Sequence, residues 1–315
     1  MKISGFTFIK NAVIYDFPIV ESVRSVLPLV DEFIIVAGDS SDDTDTLLKT
    51  FDDEPKVYVI RTVWDTNTYS HGGNIYAQQT DIGLKACSGD WCIYIQSDEI
   101  LHHDAVPVIK NACSTFLNDQ RVEGFLLKYV HLYGDYKHYI DSLHFAYPRE
   151  IRIVRNKPDI HSWRDAQSFR IIPDFDGLDY DRTAGTRKLR CVLLDALIFH
   201  YGWSRDPRCM IGKANNHNSL YSKDYKPVQG IDYYDYGNLS MMPLYKGTFP
   251  EAAAERMAAY DWGDYVRYDG ARPNIGKRYG LKYRIVDFIE KYLLRNGRRI
   301  GGFKNYTLVR PHHKK

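Results

Sequence analysis

Short apolar runs alternate with helical patterns over the first 120 residues of the chain. Runs rich in β-branched and aromatic residues predict buried strands, and apolar residues spaced by three or four predict helices. The predicted strands are residues 3–9, 33–36, 57–62 and 91–100. The predicted helices are residues 16–27, 44–51, 74–86 and 104–117. Strands and helices that alternate through short connections predict an α/β fold with a parallel sheet.

The pattern becomes irregular after residue 120. Further strands are predicted here, but a segment rich in tyrosine and histidine and a long polar loop separate them, so we expect a mixed half that binds substrate beside the sheet. These strands are residues 124–132, 150–154, 167–172 and 191–200. Two helices are predicted near the end of the chain, at residues 250–260 and 281–295.

The run at residues 91–100 stops at two adjacent carboxylates, Asp98 and Glu99. Its five successive apolar or aromatic side chains suit a strand that is covered on both faces. Open α/β sheets bind ligands at the carboxyl ends of their parallel strands, so this position predicts a binding site. The local alternative is that Asp98 only caps the next helix or turns the chain.

The composition is that of a soluble globular enzyme, with 44% hydrophobic and 26% charged residues in 315. The 25 tyrosines provide apolar faces that carry a hydroxyl. Such faces suit sugars, although core packing also explains many of them. The five cysteines form no CxxC pair and no zinc-like spacing, which predicts reduced thiols. With neither a leader pattern nor an apolar run long enough to span a bilayer, we expect a cytoplasmic protein.

Charge is distributed unevenly along the chain. Residues 271–315 hold 13 Lys and Arg residues but only Asp287 and Glu290, a local excess of +11 within a net charge of +2. A basic end on an acidic body indicates a polyanionic partner, either membrane headgroups or nucleic acid. Because the basic excess is confined to the end of the chain, we expect no nucleic-acid partner. The predicted helix at 281–295 either lies on an anionic membrane or packs its apolar stripe on the body.

The ordered motifs of residues 1–105 resemble those of the family 2 glycosyltransferases, which are inverting enzymes with the GT-A fold. The first strand is followed by Asn11, and the second runs into an acidic, serine-rich turn at residues 37–44 that resembles the family's Asp-Asp-Gly-Ser-Thr-Asp-Gly-Thr. A Gly-Asp turn then leads into the fourth strand. Its end, Gln-Ser-Asp-Glu-Ile at residues 96–100, resembles the Asp-Ala-Asp-Glu-Ile form of the Asp-x-Asp motif.

The resemblance implies a division of the chain and an activity. A Rossmann-like nucleotide-sugar-binding half is expected at residues 1–120, a mixed acceptor-binding half of the same GT-A domain at 121–215, and a C-terminal helical extension with a basic tail at 216–315. The implied reaction moves a sugar from a nucleotide-diphosphate donor, expected to be a UDP-sugar, to a glycan or lipid-linked acceptor. A divalent cation, Mn²⁺ or Mg²⁺, would bridge the diphosphate. Bacterial relatives often act in cell envelope polysaccharide biosynthesis, so we expect peripheral contact with the inner face of the membrane through residues 281–315, chiefly 295–315.

The resemblance also implies residues for the cation and the nucleotide. Asp98 is expected to bind the cation together with His200, a strand-terminal histidine followed by Gly-Trp that resembles the late histidine of many GT-A enzymes. The alternative for His200 is a half-buried side chain satisfied by backbone. Arg205 and Lys213 would neutralise phosphate. The role of Glu99 is open. The expected nucleotide contacts are Phe8, Lys10, Asn11, Asp39, Asp65 and Gln96.

Two departures from the family pattern fall on the nucleotide contacts. The two aspartates of the second-strand motif are replaced by Ala37 and Gly38, with an aspartate displaced to Asp39, and the first aspartate of Asp-x-Asp is Gln96. We expect Asp39 to recover one contact and Gln96 to hydrogen bond the ribose without charge. The departures also allow an alternative function, a catalytically inactive sugar-nucleotide-binding protein. A nucleotidyltransferase is a weaker alternative, because no Gly-rich phosphate loop follows the first strand.

An inverting transfer needs one general base that takes the proton of the acceptor hydroxyl. By resemblance this is an Asp or Glu of the acceptor half. Asp165 is the first candidate, because Trp163, two residues away, is expected to pack on a sugar face. The other carboxylates left open for this role are Glu150, Asp174, Asp176 and Asp179.

Overall fold

A computed structural model of the chain describes residues 1–270, 272–275, 280–294, 300 and 304–309. The strands are β1 (Ile3–Ile9), β2 (Glu32–Ala37), β3 (Val57–Arg61), β4 (Trp91–Tyr94), β5 (Glu99–Leu101), β6 (Gly124–Tyr133), β7 (Arg149–Arg155), β8 (Ile160–Trp163), β9 (Ser168–Ile171), β10 (Arg187–Trp203) and β11 (Tyr306–Leu308). The helices are α1 (Ile19–Val26), α2 (Thr44–Leu48), α3 (Asn74–Ala86), α4 (Ala105–Thr115), α5 (Pro207–Tyr221), α6 (Ala254–Ala258) and α7 (Leu281–Phe288).

The first four strands form a parallel sheet in the order β3-β2-β1-β4. One face of this sheet packs against α1 and α4, and the other packs against α3. The strand order reverses between β1 and β4, and such a switch point leaves a crevice at the carboxyl ends of the strands. The predicted parallel sheet is therefore confirmed.

The second half of the sheet is mixed. β7 is antiparallel to both β4 and β6, whereas β6 is parallel to β10. A third core cluster, rich in buried tyrosines, joins this half to the part of the chain after α5. The α/β class, the mixed second half expected of a GT-A fold and the C-terminal helices are all present. The divisions at residues 120 and 215 stay predictions, and α5 runs through residue 215.

The strand predicted at residues 91–100 is two strands. β4 ends at Tyr94, a turn follows, and the chain returns to the sheet as β5, which pairs antiparallel with β10 so that Glu99 lies opposite His200. A continuous apolar run does not show where the backbone leaves one strand and begins to pair with another. The pattern therefore predicted one strand in place of β4 and β5. β8, α5 and β11 were also not predicted.

The last described helix has its apolar face outward, which contradicts the alternative that it packs its apolar stripe on the body. α7 continues as a π-helix over Ile289–Leu293, and its acidic residues Asp287 and Glu290 are each only 4% exposed. Most of residues 295–315, expected to contact a membrane, lie outside the described residues. Within the described part of the chain, none of the helices has the length and apolar character needed to cross a membrane.

A fully buried ion pair connects the two halves of the sheet below the turn at residues 95–98. Glu99 accepts hydrogen bonds from Arg152 on β7, with distances of 3.0 Å from Nε and 2.8 Å from Nη2. Tyr129 on β6 donates a third, at 2.6 Å. Because the carboxylate is completely removed from water, its hydrogen bonds to protein donors replace its hydration.

Replacing Arg152 with methionine should destabilise the protein by about 3–5 kcal/mol, because Glu99 would be left as an uncompensated buried charge. Urea unfolding of both proteins measures this loss. The matched control is Lys128→Met on β6, whose ion pair with Asp195 is exposed and should cost less than about 1 kcal/mol. Equal losses in the two variants would contradict the importance of the buried pair.

Candidate active site

A cleft of about 380 Å³ lies at the carboxyl ends of β1 and β4, at the switch point of the sheet. Five segments contribute side chains to it. They are the end of β1 with Phe8, the turn after β4 with Gln96 and Asp98, the loop before β7 with Tyr147, the β8–β9 turn with Asp165, and the end of β10 with α5. The sequence predicted ligand contacts at the ends of β1, β4 and β10, and the fold brings these three positions together.

Asp98 is held between two cations. Its Oδ2 accepts hydrogen bonds from Arg205 Nη2 at 3.2 Å and Lys213 Nζ at 3.4 Å, and its Oδ1 lies 3.8 Å from His200 Nε2. Burial alone would raise the pKa of Asp98, but the charges of Lys213 and Arg205 hold it well below its usual range. The carboxylate is therefore ionised at neutral pH.

His200 is neutral, and its hydrogen bonds determine which nitrogen carries the proton. Burial lowers the pKa of His200 to about 3 and that of His131 to about 4. His131 Nε2 lies 2.7 Å from the carbonyl oxygen of Tyr147, which can only accept, so Nε2 donates. Its Nδ1 must then accept from His200 Nδ1, 3.1 Å away. This assignment leaves His200 Nε2 with a lone pair directed towards Asp98.

An oxygen and a nitrogen are thus available side by side for a cation. Among the described residues, Oδ1 of Asp98 accepts no hydrogen bond, and Nε2 of His200 has no proton to donate to it. This donor set fits Mg²⁺ or Mn²⁺, which take few protein ligands and fill the other positions with water and phosphate oxygens. The predicted pair Asp98 and His200 is compatible with a divalent cation.

Asp165 lies in the same cleft, at the tip of a constrained turn. Tyr221 on α5 donates a hydrogen bond from its hydroxyl to Asp165 Oδ2. The neighbours Arg164 and Ala166 both have φ of 60°, a left-handed conformation that costs non-glycine residues about 1 kcal/mol or more each. Such strain persists only where surrounding contacts enforce it, and it is enriched at functional sites.

Two of the six expected nucleotide contacts line the cleft, and four do not. Phe8 and Gln96 line the cleft. Lys10 and Asp39 form an ion pair of 2.8 Å just outside it, with Lys10 also 5.3 Å from the centroid of the Trp64 ring. The other two candidates shape loops.

Asn11 and Asp65 fix the conformation of loops instead of lining the cleft. Asn11 has φ of 56° and accepts a hydrogen bond from Ser41 N at 2.8 Å, which connects β1 to the loop after β2. Asp65 is exposed and accepts from the backbone of Asn67 and Thr68, 3.1 and 3.0 Å away. Neither lines the cleft.

Trp163 does not lie in the cleft, which corrects the expectation that it packs on a sugar. It is 1% exposed, its ring packs between Arg164 and Arg170, and its indole donates to Arg182 O at 3.1 Å. Trp203 instead lines the cleft. The alternation of β8 directs Trp163 inward, a register that the short run could not reveal.

Glu99, whose role the sequence left open, is structural, since it is fully buried against Arg152. Glu150 is buried outside the cleft, and burial raises its pKa to about 7.

The main contribution that sequence reasoning missed is α5. It has few apolar residues, but positions 210, 213, 214, 217 and 221 recur at helical spacing and all face the cleft. The start signal was present, because Asp206 accepts from Arg208 N at 2.9 Å and Pro207 occupies the first turn. The helix was not predicted because its cleft-facing side is polar, although this is the side that a ligand would contact.

No protein-family model matches this chain, and no curated protein matches it. Among solved structures, TarS of S. aureus is similar with 16% sequence identity over 67% of this chain and 38% of that chain, at a TM-score of 0.40. A structure of its residues 1–349 has 14% identity over 70% of this chain and 65% of that one, at a TM-score of 0.39. Glucosyl-3-phosphoglycerate synthase from Mycobacterium tuberculosis, in complex with Mn²⁺, UDP and phosphoglyceric acid, has 23% identity over 41% and 43% of the two chains, at a TM-score of 0.27. The chain spans less than two thirds of each, and similarity at this level establishes neither a family nor an activity.

The departure at Gly38 has a steric explanation in Trp64. A Cβ at Gly38 would lie 2.4 Å from the indole nitrogen of Trp64. Gly38→Ala should therefore destabilise the protein by about 1–3 kcal/mol, and by less in a Trp64→Ala background. Denaturant unfolding of the four proteins measures this coupling. Gly263→Ala, where the new Cβ would lie 3.6 Å from Tyr260, is the control and should stay within about 1 kcal/mol. If the losses of stability in the two single variants add up in the double variant, Trp64 does not exclude a side chain at residue 38.

Proposed function

We propose that this protein is an inverting glycosyltransferase that moves a sugar from a UDP-sugar donor to a glycan or lipid-linked acceptor. One observation carries the proposal. The ionised carboxylate of Asp98 lies at the end of β4 between Arg205, Lys213 and the unprotonated nitrogen of His200, in the same cleft as Asp165. Such a cluster combines groups that can bind a diphosphate with a separate carboxylate that can accept a proton.

The nucleotide would bind at the β1 side of the cleft. Phe8 and Tyr76 stack with 5.6 Å between their ring centroids, and His217 also stacks with Tyr76, at 5.9 Å. This aromatic wall suits the flat face of a base. Gln96 would hydrogen bond the ribose, and Lys10, Asn11, Asp39 and Asp65 stay proposed contacts at the rim.

The diphosphate would lie against Arg205 and Lys213. Arg205 is fully buried beside Asp98, whereas Lys213 is half-buried and is also fixed by its hydrogen bond of 2.8 Å to Gly202 O. Burial lowers the pKa of Lys213 to about 8, which still leaves the amine largely protonated at neutral pH. Two positive groups fixed in advance would stabilise the charge that develops on the departing diphosphate. A divalent cation held by Asp98 and His200 would supply Lewis acidity at the same oxygens.

Asp165 is the proposed general base. The hydrogen bond from Tyr221 orients its carboxylate and occupies Oδ2, while Oδ1 has no hydrogen-bond partner among the described residues. Oδ1 would take the proton of the acceptor hydroxyl as that oxygen attacks the anomeric carbon. Attack from the face opposite the diphosphate inverts the configuration.

A catalytically inactive sugar-nucleotide-binding protein is the second candidate. Ala37, Gly38 and Gln96 replace three carboxylates of the family pattern, and Trp64 occupies the space next to Gly38. Such a protein would bind the donor at the same site but would not transfer the sugar.

The melting temperature should rise when UDP and Mn²⁺ are added together, because a ligand that binds the folded state stabilises it. Asp98→Asn should abolish this shift. Differential scanning fluorimetry with a panel of nucleotides and UDP-sugars, with and without Mn²⁺, measures it and identifies the donor. If no nucleotide shifts the melting temperature, the whole assignment is wrong.

Asp165→Asn should lower sugar transfer by about 10²–10⁴-fold while leaving donor binding intact, because only the proton acceptor is lost. The control is Asp176→Asn, an exposed carboxylate outside the cleft, which should transfer at the wild-type rate. Release of UDP from the donor in the presence of acceptor glycans measures both. Tight UDP binding without turnover in the wild type would favour the inactive binding protein.

We also propose that the C-terminal part of the chain contacts an anionic membrane, at the inner face of the cell membrane. The outward face of α7 and its π-helical extension carries five large apolar side chains that are 54–75% exposed. They are Leu281, Ile285, Phe288, Tyr292 and Leu293. The local charge excess of +11 in residues 271–315 favours anionic headgroups as the partner.

Replacing Phe288 and Tyr292 together with serine should weaken binding to anionic vesicles by at least about tenfold, because each buried aromatic side chain contributes roughly 1.5–3 kcal/mol. Co-sedimentation with phosphatidylglycerol–phosphatidylcholine vesicles measures the loss, and added salt should also reduce binding. Val63→Ser removes an apolar side chain that is 79% exposed elsewhere and should have no effect. Unchanged binding of the double variant would contradict this surface.

A further inference from the structure

Two histidines lie side by side in the sheet, and only one of them lines the cleft. His131 on β6 and His200 on β10 are paired in register in neighbouring parallel strands, so their side chains lie on the same face of the sheet. His200 lines the cleft, whereas His131 does not and is 5% exposed. His131 therefore acts on a ligand in the cleft only through the residues that it holds.

The ring of His131 is held in one orientation by its neighbours. Tyr129 stacks on it with 5.3 Å between the ring centroids, and Tyr147 meets it edge-on at 4.9 Å. Its Nε2 donates a hydrogen bond to the carbonyl oxygen of Tyr147, 2.7 Å away. Rotating the ring by 180° would replace this nitrogen with a carbon, so the hydrogen bond determines that Nδ1 is the nitrogen that faces His200.

The contact between the two Nδ1 atoms holds one proton, and this proton belongs to His200. The two atoms are 3.1 Å apart, which is a hydrogen-bond distance. His131 in its neutral form carries its single proton on Nε2, so its Nδ1 accepts and that of His200 donates. The distance of 3.8 Å from His200 Nε2 to Asp98 Oδ1 agrees with this assignment, because a proton on Nε2 would make a shorter hydrogen bond there.

We propose that His131 is a positioning residue of the cation site. By accepting the Nδ1 proton of His200, it keeps the Nε2 lone pair of His200 directed towards Asp98, where a divalent cation would bind. A histidine that binds a metal generally donates its other N–H to a fixed acceptor, which determines its tautomer and ring orientation. Here the acceptor is a second imidazole, which the carbonyl oxygen of Tyr147 holds in turn. The inference rests on the proposed function, in which Asp98 and His200 hold the cation.

Loss of this acceptor would change what the two proposed ligands do. His200 would be free to carry its proton on Nε2, and that proton would point towards Asp98 Oδ1. The histidine and the carboxylate would then hydrogen bond to each other in place of binding a cation. His131 therefore selects the tautomer in which both ligand atoms are available.

Nitrogen-15 NMR of the metal-free full chain reports the tautomers directly. In the wild type, His200 should carry its proton on Nδ1 and His131 should carry its proton on Nε2. In His131→Phe, a proton should appear on Nε2 of His200. A proton on His200 Nε2 in the wild type would overturn the inference, so the measurement is decisive even if the variant does not fold.

Binding of Mn²⁺ alone to the full chain, measured by electron paramagnetic resonance without nucleotide, tests the effect on the cation. His131→Phe keeps a flat ring between Tyr129 and Tyr147 but removes the acceptor, and it should weaken Mn²⁺ binding by about 10–100-fold. His131→Asn places an amide oxygen near the position of Nδ1 and should bind Mn²⁺ within about threefold of the wild type. A role in ring packing alone would reverse this order, because the phenylalanine would then be tolerated and the asparagine would not.

Two further variants separate this inference from the proposed function. His103→Phe alters another group of potential metal ligands, which includes His102 and Asp104, and should bind Mn²⁺ as the wild type does. Asp98→Asn should lose Mn²⁺ binding. Equal Mn²⁺ affinity in the wild type and His131→Phe would overturn the inference and leave the proposed function intact. If the wild type binds no Mn²⁺, or if Asp98→Asn retains it, the cation site itself is wrong and the inference fails with it.

Discussion

The buried ion pair between Glu99 and Arg152 determines where Asp98 lies. Glu99 begins β5 and points into the protein, where Arg152 and Tyr129 hold its carboxylate. The same carboxylate accepts a hydrogen bond from Gln96 N at 3.0 Å, so both ends of the turn are fixed by one side chain. With the turn held in this way, its last residue, Asp98, is presented to the cleft.

Burial then determines the charge of each group around Asp98. The desolvated histidines stay neutral, whereas Arg205 and Lys213 keep their charge beside a carboxylate. A side chain at Gly202 would lie 2.3 Å from the His200 ring, so the Gly-Trp that follows the histidine is a packing requirement. The cleft thus combines fixed charges with one unprotonated nitrogen, and little has to move for a polyanionic ligand to bind.

The sequence was sufficient to predict what depends on local pattern. Strands β1 to β4, the helices between them and the placement of Asp98 at the cleft follow from apolar runs and the position of two carboxylates. The tautomer of His200 depends on His131 and Tyr147, which are distant in sequence, and no pattern reveals this contact. α5 was missed because its cleft-facing side is polar, and Trp163 was misplaced because a four-residue strand does not define its inward face.

The two acidic positions of the cleft are connected by a single helix. Lys213 contacts Asp98 and Tyr221 contacts Asp165, and the eight helical steps from residue 213 to residue 221 span about 12 Å along α5. The pitch of this helix therefore sets the spacing between the charge cluster and the proposed base. Insertion of one residue between positions 213 and 221 would rotate one contact by about 100° relative to the other. Natural variation in this segment should therefore exchange side chains and conserve length, since a change of length would uncouple the two halves of the site.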